Sequence, residues 1–413
     1  MTLVNKSIIV FAKKEGIIMK KKILLDVILN IVATAIPLLV LQLISLPVVA
    51  HRMGSDGYGI VITLISLFTL LSIPFGNSLN NIRLLLNEEY KGKNLIGDFN
   101  ILLVWSLIIS SFLMFIGVSY FIESFSIINT ILTIFIACLI LIREYLMVSF
   151  RIKLNYQAIL INNIILGLGY LLGTYLFYLT GYWHLIYIVG STVSLFYIIK
   201  NSNLIKEPFF KTYLFKKTSY KSLILFVSTF LKTLLSYADK LLLFPLLGPH
   251  VVSVYYTATV FGKIIAMAIT PINSVVLSYL TRIDRLEKRK LVLLIGIIGS
   301  IGFIGYFIII LISKPLLYLL YPNWAEQSFK LIYITSGTAI VEVMSSIIHP
   351  FILRFKNINW QILINGSSVI VYIVCTLMFY SQYGLLGFCL GVLISSVYKL
   401  IIMTLIFFIS KVK

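Results

Sequence analysis

The chain has 413 residues, of which 60% are hydrophobic and 12% charged, with a mean hydropathy of +1.03. Soluble domains carry about 25% charged residues, so this composition excludes a soluble globular protein and points to a polytopic membrane protein. The net charge of +20 raises nucleic acid as a partner, but its distribution, mostly on one side of the predicted spans, argues against it.

Residues 1–22 form a basic tail with Lys6, Lys13, Lys14, Lys20, Lys21 and Lys22. Its apolar patch, Ile8–Ala12, is too short to span, and no cleavage signal follows the first hydrophobic run. Met19, which precedes three lysines, is a plausible alternative start. Twelve apolar runs then predict twelve spans, near 23–50, 58–80, 99–121, 127–147, 156–179, 184–199, 222–246, 252–279, 291–313, 329–349, 360–379 and 385–410. None shows the alternating pattern of a barrel strand, so the expected fold is an all-α bundle.

In the first span, Asp26, Asn30 and Thr34 recur every fourth residue and form one polar stripe, and Pro37 bends or softens the helix after it. The stripe faces either a cavity or a neighbouring helix. The second span ends on Asn77, Asn80, Asn81 and Arg83. Arg83 there is either a first contact for an anionic headgroup or a loop anchor. The three cysteines lie inside apolar runs and the four histidines are scattered, so no metal or cofactor is expected.

The loops fix an orientation. One side collects 27 Lys and Arg, the other only Arg52 and Lys314. By the positive-inside rule both termini are cytoplasmic. The stretch 201–221, with aromatics among its lysines, joins the halves and suits the inner leaflet surface. External loops are short; the longest is about 313–328.

The seventh run, Lys221–Gly248, carries Lys232, Asp239 and Lys240 within a length that crosses a bilayer. Ionisable groups at that depth face a bundle interior or a wet cavity. Lys232 and Asp239 are seven residues apart, so on a helix they share a face, about 10 Å apart along the axis. Lys263 lies mid-span in the eighth run, and Glu342 is the sole carboxylate of the tenth. Lys232, Asp239, Lys240 and Lys263, with Arg83, are the candidate cavity residues. Asp26, Asp239 and Glu342 are the candidates for coupling an ion. Structural Lys–Asp pairing and snorkelling of Lys240 are the bland alternatives.

The halves repeat one another. Arg151–Asn162 and Arg354–Asn365 share Arg, Lys, Ile, Leu, Ile and Asn at an offset of 203, which Gly181 and Gly384 keep. Met53–Gly59 pairs with Leu247–Ser253 at an offset of 194. With six spans in each half, this is a parallel repeat: an N-terminal lobe over 23–200, a linker over 201–221 and a C-terminal lobe over 222–413. A substrate in such a fold sits between the lobes.

These residues resemble the polysaccharide-repeat (O-antigen type) flippases of the multidrug/oligosaccharidyl-lipid/polysaccharide exporter superfamily. The resemblance is carried by Pro37–Val40 through Arg52–Gly59, by Ser236–Leu241 through Gly248 and Tyr255, and by Gln382–Gly387 followed by Leu393–Ser396. Cys389 and Ser253 depart from the small residues usual at those places. The resemblance implies a transporter in a bacterial plasma membrane, not an enzyme. Its cargo would be an undecaprenyl-pyrophosphate-linked oligosaccharide moved from the cytoplasmic to the outer leaflet. Membrane lipids, a polysaccharide polymerase and chain-length machinery would be its partners. A diphosphate needs cations in a low-dielectric cavity, which the intramembrane lysines provide. A drug exporter of the same superfamily, a polytopic polymerase and a lipid II-type flippase are the rivals; the last usually carries more than twelve helices.

Overall fold

A computed structural model describes residues 28–29, 31–122, 126–280, 288–356 and 359–409. Asp26, Asn30, the basic tail and most of the 282–290 loop lie outside the described residues. The described residues are almost all helical, and eight helices among them are long and apolar enough to cross a membrane.

Helix α1 runs Ile31–Gly92. It is followed by α2 (Asp98–Phe121), α3 (Ile127–Leu146), the short α4 (Val148–Ile152), α5 (Tyr156–Thr180) and α6 (His184–Asn201). After a segment over 202–214 come α7 (Phe215–Leu280), α8 (Lys288–Leu320), α9 (Ala325–Phe355) and α10 (Asn359–Ile409).

Three of these are far longer than a bilayer is thick. At 1.5 Å per residue, the 62 residues of α1 would reach about 93 Å, three times a hydrocarbon core of about 30 Å. Each long helix is broken once: α1 at Gly54 (φ 69°), α7 at Gly248 (φ 81°) and α10 at Gly384 (φ 56°). Gly181 (φ 86°) ends α5 in the left-handed region. These are the two glycine pairs of the sequence repeat. The repeat is therefore a repeat of sharp turns, placed where only a residue without Cβ bends the chain at little cost.

Several boundaries shift from those expected. The second run continues as helix to Gly92, so Arg83 lies in a helix rather than a loop. Arg143 likewise falls inside α3. The helix after the linker starts at Phe215, and α8 runs on to Leu320, which shortens the supposed 313–328 loop to a 3₁₀ turn, Pro322–Trp324. In each case helical hydrogen bonding continues past the apolar run that sequence hydropathy measures. The softening of the first span comes as a π-helical turn at Leu41–Ser45, one turn beyond Pro37. Pro47 has no N–H to offer the Leu43 carbonyl, and the widened turn absorbs that mismatch.

Helix α1 packs on α2, α3 and above all α7; α5 pairs with α6, and α3 with α6. Helix α9 packs on α7, α8 and α10. At the glycine end, the break in α1 meets the break in α7: Ser253 Oγ donates to the Ser55 carbonyl (2.5 Å), and a Cβ at Gly59 would collide with the Pro249 carbonyl. Tyr58 is sealed there by Trp324 (centroids 5.7 Å apart), Tyr321 (5.8 Å) and Tyr256 (6.1 Å). Arg52 caps α5 by donating to the Phe177 (2.6 Å) and Tyr178 carbonyls.

At the opposite end the linker is docked rather than solvated. Buried Asp98 accepts from Tyr90 Oη (2.6 Å), from the Thr212 N–H (2.7 Å) and from Thr212 Oγ1 (2.5 Å). Asn100 donates to the Glu207 carbonyl (2.8 Å), Lys217 pairs with Glu89 (2.8 Å), and Phe75 stacks on Phe226 (4.2 Å).

A Cβ at Gly248 would meet no atom within 4 Å, so its cost is conformational alone. Gly248→Ala should lower stability by about 1–3 kcal/mol, read as a drop in the thermal unfolding midpoint of the detergent-purified protein. The same substitution at Gly305, a half-buried helical glycine with equal room, should leave the midpoint unchanged or raise it.

Candidate functional site

A cavity of about 550 Å³ lies between α1, α3, α5 and α6 on one side and α7, α9 and α10 on the other. The π-helical turn in α1 brings Gln42 to its wall. Helix α7 supplies Asp239, Lys240, Tyr255, Tyr256 and Lys263, and α9 supplies Glu342.

Asp239 and Lys240 are adjacent in sequence and clamp one another: both carboxylate oxygens accept from Lys240 Nζ, which also donates to the Ser236 carbonyl (3.1 Å). Lys240 is only 1% exposed. A lysine that deep is tolerated because a carboxylate and a helix carbonyl replace its water. Rings of Tyr237 and Tyr255 stand 5.6 and 6.0 Å from its Nζ.

Lys263 sits 3.8 Å above the centroid of the Tyr256 ring, a cation–π seat. The hydroxyl of that ring pairs with the Gln42 amide across the cavity, 2.9 Å to Nε2 and 3.1 Å to Oε1. Among the described residues Lys263 and Glu342 make no ion pair. Arg143 reaches the cavity from α3; one nitrogen pairs with Glu144 Oε1 (2.5 Å), while buried Nε has no partner among the described residues. Tyr372 is likewise buried in the wall with its hydroxyl unpaired among the described residues.

Of the sequence-derived candidates, Asp239, Lys240, Lys263 and Glu342 come together in the cavity, and so does Thr34 of the first-span stripe. Lys232 is exposed and outside the lining. Helical spacing set it on a face with Asp239, but Asp239 turns instead to its neighbour Lys240. Arg83 is also outside the lining. It forms a bidentate pair with Glu207 of the linker (2.8 and 2.5 Å) and lies 4.5 Å from the Phe99 ring centroid. Asp26 lies outside the described residues. Sequence reading missed Gln42 and Arg143. Arg143 was hidden by its place at the end of an apolar run, where a basic residue reads as a loop anchor; a buried glutamine in a π-helical turn has no local signal at all.

No protein-family model matches the chain, and no curated protein does. Solved structures do. The lipid II flippase MurJ in an inward closed conformation is similar over 94% of this chain and 86% of that one, with TM-score 0.67 and 15% identity. A multidrug resistance MATE family transporter of the MOP superfamily, inward-facing, matches over 91% and 92%, with TM-score 0.60 and 13% identity. A MOP superfamily transporter from Pyrococcus furiosus, described as having a binding pocket of reversed polarity, matches over 91% and 94%, with TM-score 0.53 and 13% identity. At such identities the likeness shows the fold alone: the long apolar helices are arranged as in the MurJ flippase and the MATE transporters, a multi-pass helical membrane architecture.

The side chains of Arg83 and Glu207 are 9% and 12% exposed, so removing one partner strands a charge. Arg83→Ala or Glu207→Ala should each destabilise by about 3–5 kcal/mol, whereas Arg83→Met with Glu207→Leu should cost far less. A double-mutant cycle on thermal unfolding in detergent measures the difference; a loss in the double variant equal to the sum of the two single losses would mean that the pair does not act as a unit.

Proposed function

We propose that the chain is a flippase that moves a lipid-linked, diphosphate-bearing oligosaccharide, of the undecaprenyl-pyrophosphate class, from the cytoplasmic to the outer leaflet of a bacterial plasma membrane. Twelve spans, counting each glycine-broken helix as two, form an N-terminal and a C-terminal lobe of six around the cavity, with both termini cytoplasmic. The glycine end is then the outer end and the docked linker the inner. Access alternates as the lobes rock about the cavity.

The observation that carries this reading is the chemistry of the cavity wall. Arg143, Lys240 and Lys263 face Asp239 and Glu342 in one space, and Asp239 neutralises Lys240. Lys263 then remains without an ion pair among the described residues, and Arg143, paired with Glu144 through one nitrogen, brings further N–H groups from the opposite side for a diphosphate. Such charge-assisted hydrogen bonds are strong in a water-poor chamber. The tyrosines Tyr170, Tyr187, Tyr237, Tyr255, Tyr256 and Tyr372 offer ring faces and hydroxyls to sugars, and the lipid tail stays in the bilayer between parted lobes. The MurJ likeness supports a lipid-linked cargo. A polymerase and chain-length machinery would take up the delivered repeat unit. Glu342, open to the cavity without an ion pair among the described residues, supports ion coupling, with Asp239 as its partner. The same carboxylate is what favours the second reading, a drug exporter: a cationic cargo would dock on it.

Lys263→Ala and Arg143→Ala should each cut export of the lipid-linked sugar at least about tenfold, the weight of one charged hydrogen bond, with normal amounts of protein in the membrane. Lys232→Ala should export normally. Lys240→Ala is the wrong test, because it leaves Asp239 buried and unpaired. Normal export by the Lys263→Ala/Arg143→Ala double variant would remove an anionic cargo from consideration, and loss of drug export in Glu342→Gln instead would establish the second reading. If Glu342 couples an ion, Glu342→Gln should transport independently of the ion gradient in vesicles.

A further inference from the structure

Tyr256 stands at the junction of two features that are otherwise separate. Its ring face seats the Lys263 ammonium at 3.8 Å inside the cavity. Its hydroxyl is bonded to Gln42 of α1 across the interface, and its ring edge meets Tyr58 in the aromatic seal at the glycine end. Tyr58 in turn holds Tyr321 by its hydroxyl (3.3 Å) and Trp324 by stacking. One side chain therefore touches a free cation of the chamber and the bond that ties α7 to α1 beneath the seal.

We infer that Tyr256 is the positioning residue through which an anion in the cavity releases the outer closure: when a diphosphate oxygen takes the Lys263 ammonium, the Tyr256 ring loses its cation, and its bond to Gln42 loosens. This rests on the reading of the cavity as an anionic-headgroup site. The order of strengths favours it. A charge-assisted bond to phosphate outweighs a cation–π contact, so an anion wins the ammonium. The ammonium on the ring face holds the ring where its hydroxyl reaches the Gln42 amide, accepting from Nε2 (2.9 Å) or donating to Oε1 (3.1 Å); a ring without its cation is free to shift, and either bond depends on that position. Gln42 sits in a π-helical turn, a segment already departing from regular helix hydrogen bonding, so α1 needs to break little more to yield there. The anion thus binds the two conformations unequally, which is what a ligand needs in order to shift a population.

The test uses the purified full-length protein in detergent, inorganic pyrophosphate as the probe, and Ser253→Cys as the reporter, with Cys138, Cys375 and Cys389 replaced. Ser253 is fully buried against the Ser55 carbonyl, so its reaction with a maleimide reports opening of the seal. Pyrophosphate should speed labelling by about five- to tenfold, the effect of one hydrogen bond. Tyr256→Phe, and independently Gln42→Leu, should label at the fast rate with or without pyrophosphate. Lys263→Met should raise the resting rate and abolish the response. Amide exchange over residues 53–59 and 249–256 of the unsubstituted protein, with and without pyrophosphate, gives the same readout without any variant. If Tyr256→Phe keeps the slow resting rate and the full response, the inference fails. Pyrophosphate that binds, by calorimetry, yet changes neither labelling nor exchange also overturns it while leaving the transport reading standing. Pyrophosphate that does not bind overturns both.

Discussion

Charge inside a membrane protein has few permitted addresses, and this constraint organises the molecule. A side chain that keeps its charge at bilayer depth must find a partner, a ring face or a wet space. Lys240 finds Asp239 and the Ser236 carbonyl; Lys263 finds the Tyr256 ring; Arg83 finds Glu207. Their differing solutions separate structure from site. Arg83 and Glu207 satisfy each other and fasten the linker to α1. Lys240 and Asp239 satisfy each other at the cavity wall. Lys263 and Arg143 line the cavity, the first without an ion pair among the described residues and the second with its Nε unpartnered among them.

The second organising element is the pairing of the turns. Gly54 and Gly248 match one another in the sequence repeat and carry similar backbone angles, and the segments that follow them pack against one another through Gly59, Pro249, Ser55 and Ser253. A repeat whose equivalent parts meet in this way makes a self-complementary contact, as in a symmetric dimer. Small residues let the helix backbones approach there and along α7 and α9, where Thr257 meets Ser328 (2.6 Å), Thr335 donates to the Ala258 carbonyl (2.8 Å), and a Cβ on Gly262 would crowd Ala339. In a bilayer, close approach and interhelical hydrogen bonds do the work that hydrophobic burial does in water. The glycine end is tightly sealed and the opposite end is tied by polar contacts of the linker, so the cavity is held between two differently built closures.

The sequence by itself determined the membrane class, the all-helical build and the repeat, because long apolar runs, the absence of strand alternation and fixed glycine offsets are local properties of the chain. It also marked Asp239, Lys240, Lys263 and Glu342, since an ionisable residue inside an apolar run is conspicuous wherever the helix ends up pointing. Direction was beyond it. Lys232 and Lys263 look alike in a hydropathy profile, yet one is exposed outside the cavity and the other lies over Tyr256. Arg83 stands among the cavity candidates and Arg143 reads as a loop anchor; the fold buries the first against a glutamate 124 residues away and brings the second to the cavity wall. Which cation stays available is decided by partners distant in sequence, and only the packing of α1 against α7 brings Gln42 to Tyr256, 214 positions apart. Pair distances of that kind depend on how helices cross, and no single helix carries that information.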